Sequence, residues 1–354
     1  MWNRAVIDRL LAGECGAGGR LLRAVLWCAA RFYTAAVCAR NAYYDYFPGA
    51  ARKVPVPVIS VGNLTVGGTG KTPVTAWLAK DLQQRGRRVA IVSRGYRRLH
   101  PDHNDEACVL RRHLPDTPLV QDPDRIRGAL KAIEQFQADL IVLDDGFQHR
   151  RIARDLDILL LDALCPFGHG DLLPRGLLRE PIGSLRRADL VVLTRADLVS
   201  PASRDAVWSA VERWLPGVPR IEVAFLPTTL ANDRQVQALE GVRRIAAFCA
   251  IGNPHNFLET LRACRYEVVA FRAFADHHRF SQRDLRQLDQ WARRQPGIDA
   301  VLCTEKDLVK CPLTTLGDRP LFAVRIEPQI MAGEQHWRAA LEAFHRCEQI
   351  AEFA

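Results

Sequence analysis

Beyond Pro48 short apolar runs alternate with amphipathic stretches, a glycine-rich turn spans Thr65 to Thr72, and an apolar run ends in Asp144 and Asp145. Together these predict an α/β fold of the P-loop NTPase-like kind, a mostly parallel sheet with helices on both faces. A smaller C-terminal α/β domain and an N-terminal amphipathic helix complete the expected architecture. The expected division is residues 1–50 for the helical, membrane-facing region, 51–225 for the core and 226–354 for the second domain.

The first strand covers Val56 to Val61, entered through Pro55 and Pro57. A helix from Thr72 to Arg85 carries Val74, Trp77, Leu78 and Leu82 on one face and stops at Gly86. Strand, helix and strand follow at Val89 to Val92, Pro123 to Phe136 and Leu140 to Leu143, with further strands at Asp157 to Leu161 and Leu190 to Leu193. A second α/β set starts near Gly241: strands Ile245 to Cys249, Tyr266 to Phe271 and Ala300 to Cys303, and helices Pro254 to Cys264 and Gln282 to Arg294. The stretch Leu215 to Arg243, with Pro216, Pro219 and Pro227, is the expected linker.

The 354 residues, 48% hydrophobic and 25% charged, are enough for two ordinary domains with buried cores. A formal charge of +9 points to an anionic partner: nucleic acid, an anionic membrane face or a phosphorylated substrate. The basic residues are spread along the chain and no nucleic-acid module is recognisable, which argues against the first. Ten scattered cysteines, none at CxxC spacing, read as reduced core thiols of a cytosolic protein. From Leu21 to Phe47 an apolar, aromatic-rich stretch is broken by Arg23, Arg31 and Arg40. It suits a helix in a membrane interface and equally one packed on the body of the protein.

In the loop Thr65-Val66-Gly67-Gly68-Thr69-Gly70-Lys71-Thr72, backbone N–H groups at a helix start can wrap phosphate oxygens. Lys71 can reach the β and γ phosphates and the Thr72 hydroxyl can ligate Mg²⁺. Thr65 stands where the strict pattern has glycine, so this is a variant loop. Asp144 and Asp145, at a strand end, are the expected carboxylates for the metal. Thr194-Arg-Ala-Asp197 invites comparison with the acid that reads guanine in some P-loop proteins, so ATP and GTP both stay open here.

The loop, Ser93-Arg-Gly-Tyr96, Asp105-Glu106, Asp144-Asp-Gly-Phe-Gln-His149, Leu173 to Pro181, Asp276-His277 and Thr304-Glu-Lys-Asp307 occur in order. In that combination, from about Pro55 to Lys310, the chain closely resembles the tetraacyldisaccharide 4'-kinases. The resemblance implies transfer of the ATP γ-phosphate to the 4'-hydroxyl of an anionic glycolipid, tetraacyldisaccharide 1-phosphate. It also implies a peripheral place on the cytoplasmic face of the bacterial inner membrane, with the N-terminal helix toward the lipid, and no obligate protein partner is evident.

By the same resemblance Asp105 takes the hydroxyl proton with His277 as its partner, chosen over the adjacent His278 because it follows Asp276. Asp105 is then expected in a loop after the Val89 to Val92 strand, and His277 in the second domain, so that domain closure would assemble the pair. Glu180 and Arg179 are expected to face the nucleotide and metal, and Arg94 and Arg175 to contact phosphate. His100, His103, His113 and His169 are expected to do nothing specific. The rival enzyme reading is a membrane-associated P-loop NTPase that switches conformation on hydrolysis, which has no use for Asp105 and His277.

Overall fold

The structure, a computed structural model, describes residues 17–95, 105–232, 235–276 and 278–344. In chain order it runs α1 (Ala17–Tyr46), β1 (Val58–Asn63), α2 (Lys71–Gln84), β2 (Val89–Ser93), α3 (Asp105–His113), β3 (Leu119–Gln121), α4 (Arg125–Phe136), β4 (Leu140–Asp144), β5 (Leu156–Asp162) and β6 (Leu190–Thr194). It continues through α5 (Pro201–Trp214), β7 (Arg220–Ala231), β8 (Val236–Gln237), β9 (Arg244–Cys249), α6 (Pro254–Ala263), β10 (Glu267–Ala273), α7 (Gln282–Arg293), β11 (Ala300–Thr304), α8 (Glu305–Leu308), β12 (Thr315–Leu316), β13 (Arg319–Ala332) and α9 (Glu334–Glu342).

Two compact units share these elements: Met1–Gly95, Leu114–Ala224 and Gln329–Ala354 form one, and Tyr96–His113 and Phe225–Pro328 the other. A single cut near residue 225 therefore does not describe the division. The chain passes from unit to unit inside β7 and again inside β13, and the expected linker from Leu215 to Arg243 holds the twelve-residue strand β7.

In the first unit the strand order is β7-β6-β5-β1-β4-β2-β3, all pairs parallel. All of β1 and β4 is buried, which accounts for the unbroken apolar run Leu140 to Leu143 in β4. Ile141 and Leu143 of β4 pack with Ile126, Ala129 and Ala132 of α4. The pleat turns Leu140 and Val142 to the opposite face, where α2 lies on β1 and β4 with Val74, Leu78 and Leu82 buried. Helices thus cover both faces. Pro73 sits in the first turn of α2, where its missing N–H has no intrahelical acceptor to lose. Gly62 has no room for a side chain, since a Cβ would stand 2.5 Å from that of Phe147.

The second unit orders its strands β10-β9-β11-β13, also parallel. Leu285, Leu288 and Ala292 of α7 pack with Phe248, Val301 and Cys303, while Phe257 and Leu261 of α6 pack with Ile245, Ala247 and Leu302. Helix α3 belongs here through its buried Ala107, Val109 and Leu110. His113, expected to be idle, is 9% exposed and within 2.8 Å of the Glu305 carboxylate.

Helix α1 presents two kinds of surface. Ala30, Val37 and Asn41, at seven- and four-residue spacing, are buried on the first unit. Phe32 at 80%, Tyr46 at 81% and Phe47 at 61% are exposed, along with Val25, Trp27 and Tyr43. Among the described residues no helix is long and apolar enough to cross a membrane.

Candidate active site at the phosphate loop

Parallel pairing sets the carboxyl ends of β6, β5, β1 and β4 side by side, and the loop Leu64 to Gly70 springs from that edge. Gly67 (φ 121°) and Gly70 (φ 82°) hold backbone angles that a side chain would strain. The loop entry is tied down where Val66 N–H donates to Leu177 O at 2.8 Å and Asn63 Nδ2 donates to Thr65 O at 2.7 Å. Thr65, in the variant position, is only 5% exposed and bridges Leu178, so a buried side chain fills the place of the missing glycine.

Lys71 Nζ donates to Asn63 Oδ1 at 3.2 Å and lies 3.5 Å from the Asp145 carboxylate. Asp145 follows β4 in a left-handed conformation (φ 56°), which Asp tolerates better than most side chains. Arg179 Nη1 donates to both its oxygens at 2.9 Å. Burial would raise the Asp145 pKa, yet the charges of Lys71 and Arg179 hold it below the ordinary value. Asp144, 4% exposed, accepts from the Thr75 hydroxyl at 3.2 Å.

The loop fits a nucleotide's phosphates. A Cβ built on Gly67 or Gly68 meets nothing within 4 Å, and the Thr69 hydroxyl is buried without a hydrogen-bond partner. The hydroxyl of Thr72 and the carboxylates of Asp144 and Asp145 are hard oxygen donors of the kind Mg²⁺ takes, the rest of its shell coming from phosphate and water.

Arg94 is exposed after β2, and Arg175 pairs with Asp171 at 3.1 Å. Glu180 is fully buried and turned toward α1. Arg40 and Arg187 each donate to its carboxylate at 2.7 Å and Asn41 at 3.1 Å, so both oxygens already bond protein donors. Nearby, Tyr33 Oη donates to Arg179 O at 3.0 Å. The same helix is therefore bonded to the segment that supplies Asp145 with its arginine.

Asp105 is not a loop acid of the first unit. It opens α3 in the second, with Lys310 Nζ 3.7 Å away. His277 lies outside the described residues; what is corrected is the expectation that Asp105 belongs to the first unit, since it stands in the unit that holds Asp276 and His278. The cause is packing: α3 buries its apolar side beside α8, and Glu106 pairs with Lys306 at 3.3 Å. His278 stacks on Phe274 and bonds Asp284 at 3.2 Å.

Residue-by-residue reading missed Arg125. It is 3% exposed at the first position of α4, where the helix dipole disfavours a cation. Burial lowers its pKa while Asp145 and Asp144 raise it, and its Nε has no hydrogen-bond partner. A buried guanidinium facing the two acids is a fit group for phosphate oxygens.

Comparison with known proteins gives one consistent result. The family model for tetraacyldisaccharide-1-P 4'-kinase matches residues 22–346. The tetraacyldisaccharide 4'-kinase of Anaeromyxobacter dehalogenans strain 2CP-C is 41% identical over 346 residues, covering 91% of each chain. That of Geobacter sulfurreducens is 40% identical over 341 residues, covering 90% of this chain and 93% of its own. Among solved structures, the "apo" form of LpxK from Aquifex aeolicus in complex with ATP is 30% identical with a TM-score of 0.72, covering 92% of this chain and 99% of its own.

Proposed function

The chain belongs to the tetraacyldisaccharide-1-P 4'-kinase family, and from that premise we propose how its own residues carry the reaction. It is an ATP-dependent kinase of lipid A biosynthesis that phosphorylates the 4'-hydroxyl of tetraacyldisaccharide 1-phosphate to give lipid IVA. The observation that carries the assignment of residues is the cluster of Lys71, Asp145 and Arg179 at the mouth of the phosphate loop.

The N–H groups from Gly67 to Thr72 and the ammonium of Lys71 hold the β and γ phosphates, while the Val66 N–H, bonded to Leu177 O, anchors the loop entry. Asp145 keeps Lys71 extended toward them, and Arg125 and Arg94 add positive charge. Thr72, Asp144 and Asp145 would hold Mg²⁺, which when bound would supply charge neutralisation at the phosphate oxygens. The acceptor's 4'-oxygen bonds to the γ-phosphorus as the bond to the bridging oxygen breaks and ADP leaves. The hydroxyl proton passes to the Asp105 carboxylate, with His277 as its partner.

The enzyme works peripherally on the cytoplasmic face of the inner membrane. The exposed Phe32, Tyr46 and Phe47 of the α1 region and the net charge of +9 support that placement. The test is transfer of ³²P from γ-labelled ATP to tetraacyldisaccharide 1-phosphate in detergent micelles, with Mg²⁺ and then with chelator. Labelled lipid that disappears on chelation is expected. Free phosphate without labelled lipid would instead favour the NTPase switch.

A further inference from the structure

Thr194 and Arg195, at the carboxyl end of β6, touch the phosphate loop from behind. Thr194 is fully buried, and its hydroxyl lies 3.0 Å from Thr69 O and 3.2 Å from Leu161 O. Arg195 Nη2 donates to Gly68 O at 2.7 Å, while its Nη1 pairs with Asp162 at the end of β5. Two successive loop carbonyls are thus drawn toward the sheet edge by the last residue of β6 and the one that follows it.

We propose that Thr194 and Arg195 are positioning residues for ATP, acting through the backbone of the phosphate loop; this rests on the phosphate-loop reading above. A trans peptide is planar, with N–H and C=O pointing in opposite directions. Fixing Thr69 O toward β6 turns the Gly70 N–H away from it, to the side where phosphate oxygens are received. The Thr69 N–H is itself bonded to Gly67 O at 3.2 Å, so the bond to Gly68 O fixes the shape of the loop while the bond to Thr69 O aims the Gly70 donor. Gly67 and Gly70 leave this backbone soft, so the donors need an outside brace to stand ready before the nucleotide arrives.

Arg195 itself carries a left-handed backbone (φ 55°), uncommon for arginine. That geometry accompanies a side chain turned back onto the loop, and such departures gather at functional positions. The role also gives Thr194-Arg-Ala-Asp197 a use other than reading the base: Asp197 is exposed, and the contacts to the loop come from the two residues that begin the segment.

The test compares full-length Thr194→Val, Thr194→Ser, Arg195→Ala and Lys71→Ala enzymes in micelles, measuring kcat and the KM for MgATP and for the lipid acceptor separately. Thr194→Val and Arg195→Ala should each raise the MgATP KM roughly five- to tenfold, the worth of one or two hydrogen bonds, with the acceptor KM unchanged. Thr194→Ser, which keeps the donor, should restore the native value. A native MgATP KM in both variants would overturn the proposal. So would an equal rise in both KM values that serine does not rescue, because that is general loss of structure. If Thr194→Val fails to fold, Arg195→Ala, at a side chain 25% exposed, decides alone. Near-native activity in Lys71→Ala would sink the phosphate-loop reading itself; an inactive Lys71→Ala beside native MgATP KM values elsewhere would sink only the brace.

Discussion

Lys71 and Asp145 form an ion pair, 3.5 Å apart, although they come from different elements, the start of α2 and the turn after β4. The carboxylate is itself gripped by Arg179, so the ammonium is held ready at the loop before any phosphate is present.

Replacing Lys71 by Ala removes that charge from the transferring phosphoryl group. Turnover should fall by at least ~10²–10³-fold, the usual cost of one such donor. Initial rates of lipid phosphorylation measure it, and near-native activity would contradict the loop assignment.

For Asp105→Ala the expected pattern is different. The kcat should drop by ~10²–10⁴-fold with the MgATP KM little changed, since a general base acts on the acceptor hydroxyl. A large rise in nucleotide KM would remove Asp105 from that role.

Glu180 gives a stability prediction. Its fully buried carboxylate meets Arg40, Arg187 and Asn41, so Glu180→Ala leaves the largely buried Arg187 and the half-exposed Arg40 without their shared counter-charge. Denaturant unfolding should show a loss of ~3–5 kcal/mol, and a change near zero would mean the network contributes nothing net.

Acid sensitivity should come partly from His149. Burial, helped by the charge of Arg125, lowers its pKa from 6.5 to about 4. The unfolded chain then takes up a proton near pH 6.5 that the folded protein refuses until about pH 4. The contribution to stability is full above 6.5, is lost as pH falls toward about 4, and changes no further below that. Denaturation midpoints taken from pH 7 down to pH 4 should decline less steeply in His149→Gln than in the parent.

The exposed side of α1 predicts binding to lipid. Changing Phe32 and Tyr46 together to Ser should weaken co-sedimentation with anionic vesicles by roughly tenfold or more, given ~25 cal/mol per Å² of apolar surface. Equal sedimentation of parent and variant would move the docking surface elsewhere.

The phosphate loop was legible because its signal is local: strand, glycines, lysine and helix follow within a few residues. The placing of Asp144 and Asp145 at a strand end beside the loop was legible for the same reason, an apolar run ending in acids. Strand β7 was not, because Pro227 read as part of a linker; it lies close to the point where the chain passes between units. Helix α3 went unread because Asp105 and Glu106 look like a solvated loop until α8 is beside them. The bonds from Thr194 and Arg195 to Thr69 and Gly68 span more than a hundred residues and exist only once β6 is placed. Glu180 was legible as important but not in its direction, because alternate side chains on one extended segment face opposite ways: Arg179 to Asp145, Glu180 to α1.

Glu180 also limits what α1 can do as a mechanical part. A helix attached only by apolar contacts can peel away and swing; this one would have to strip a buried carboxylate of Arg40 and Asn41 to do so. It therefore behaves as a keel rather than a tether. A surface that accepted Phe32 and Tyr46 would carry the phosphate-binding unit along with the helix.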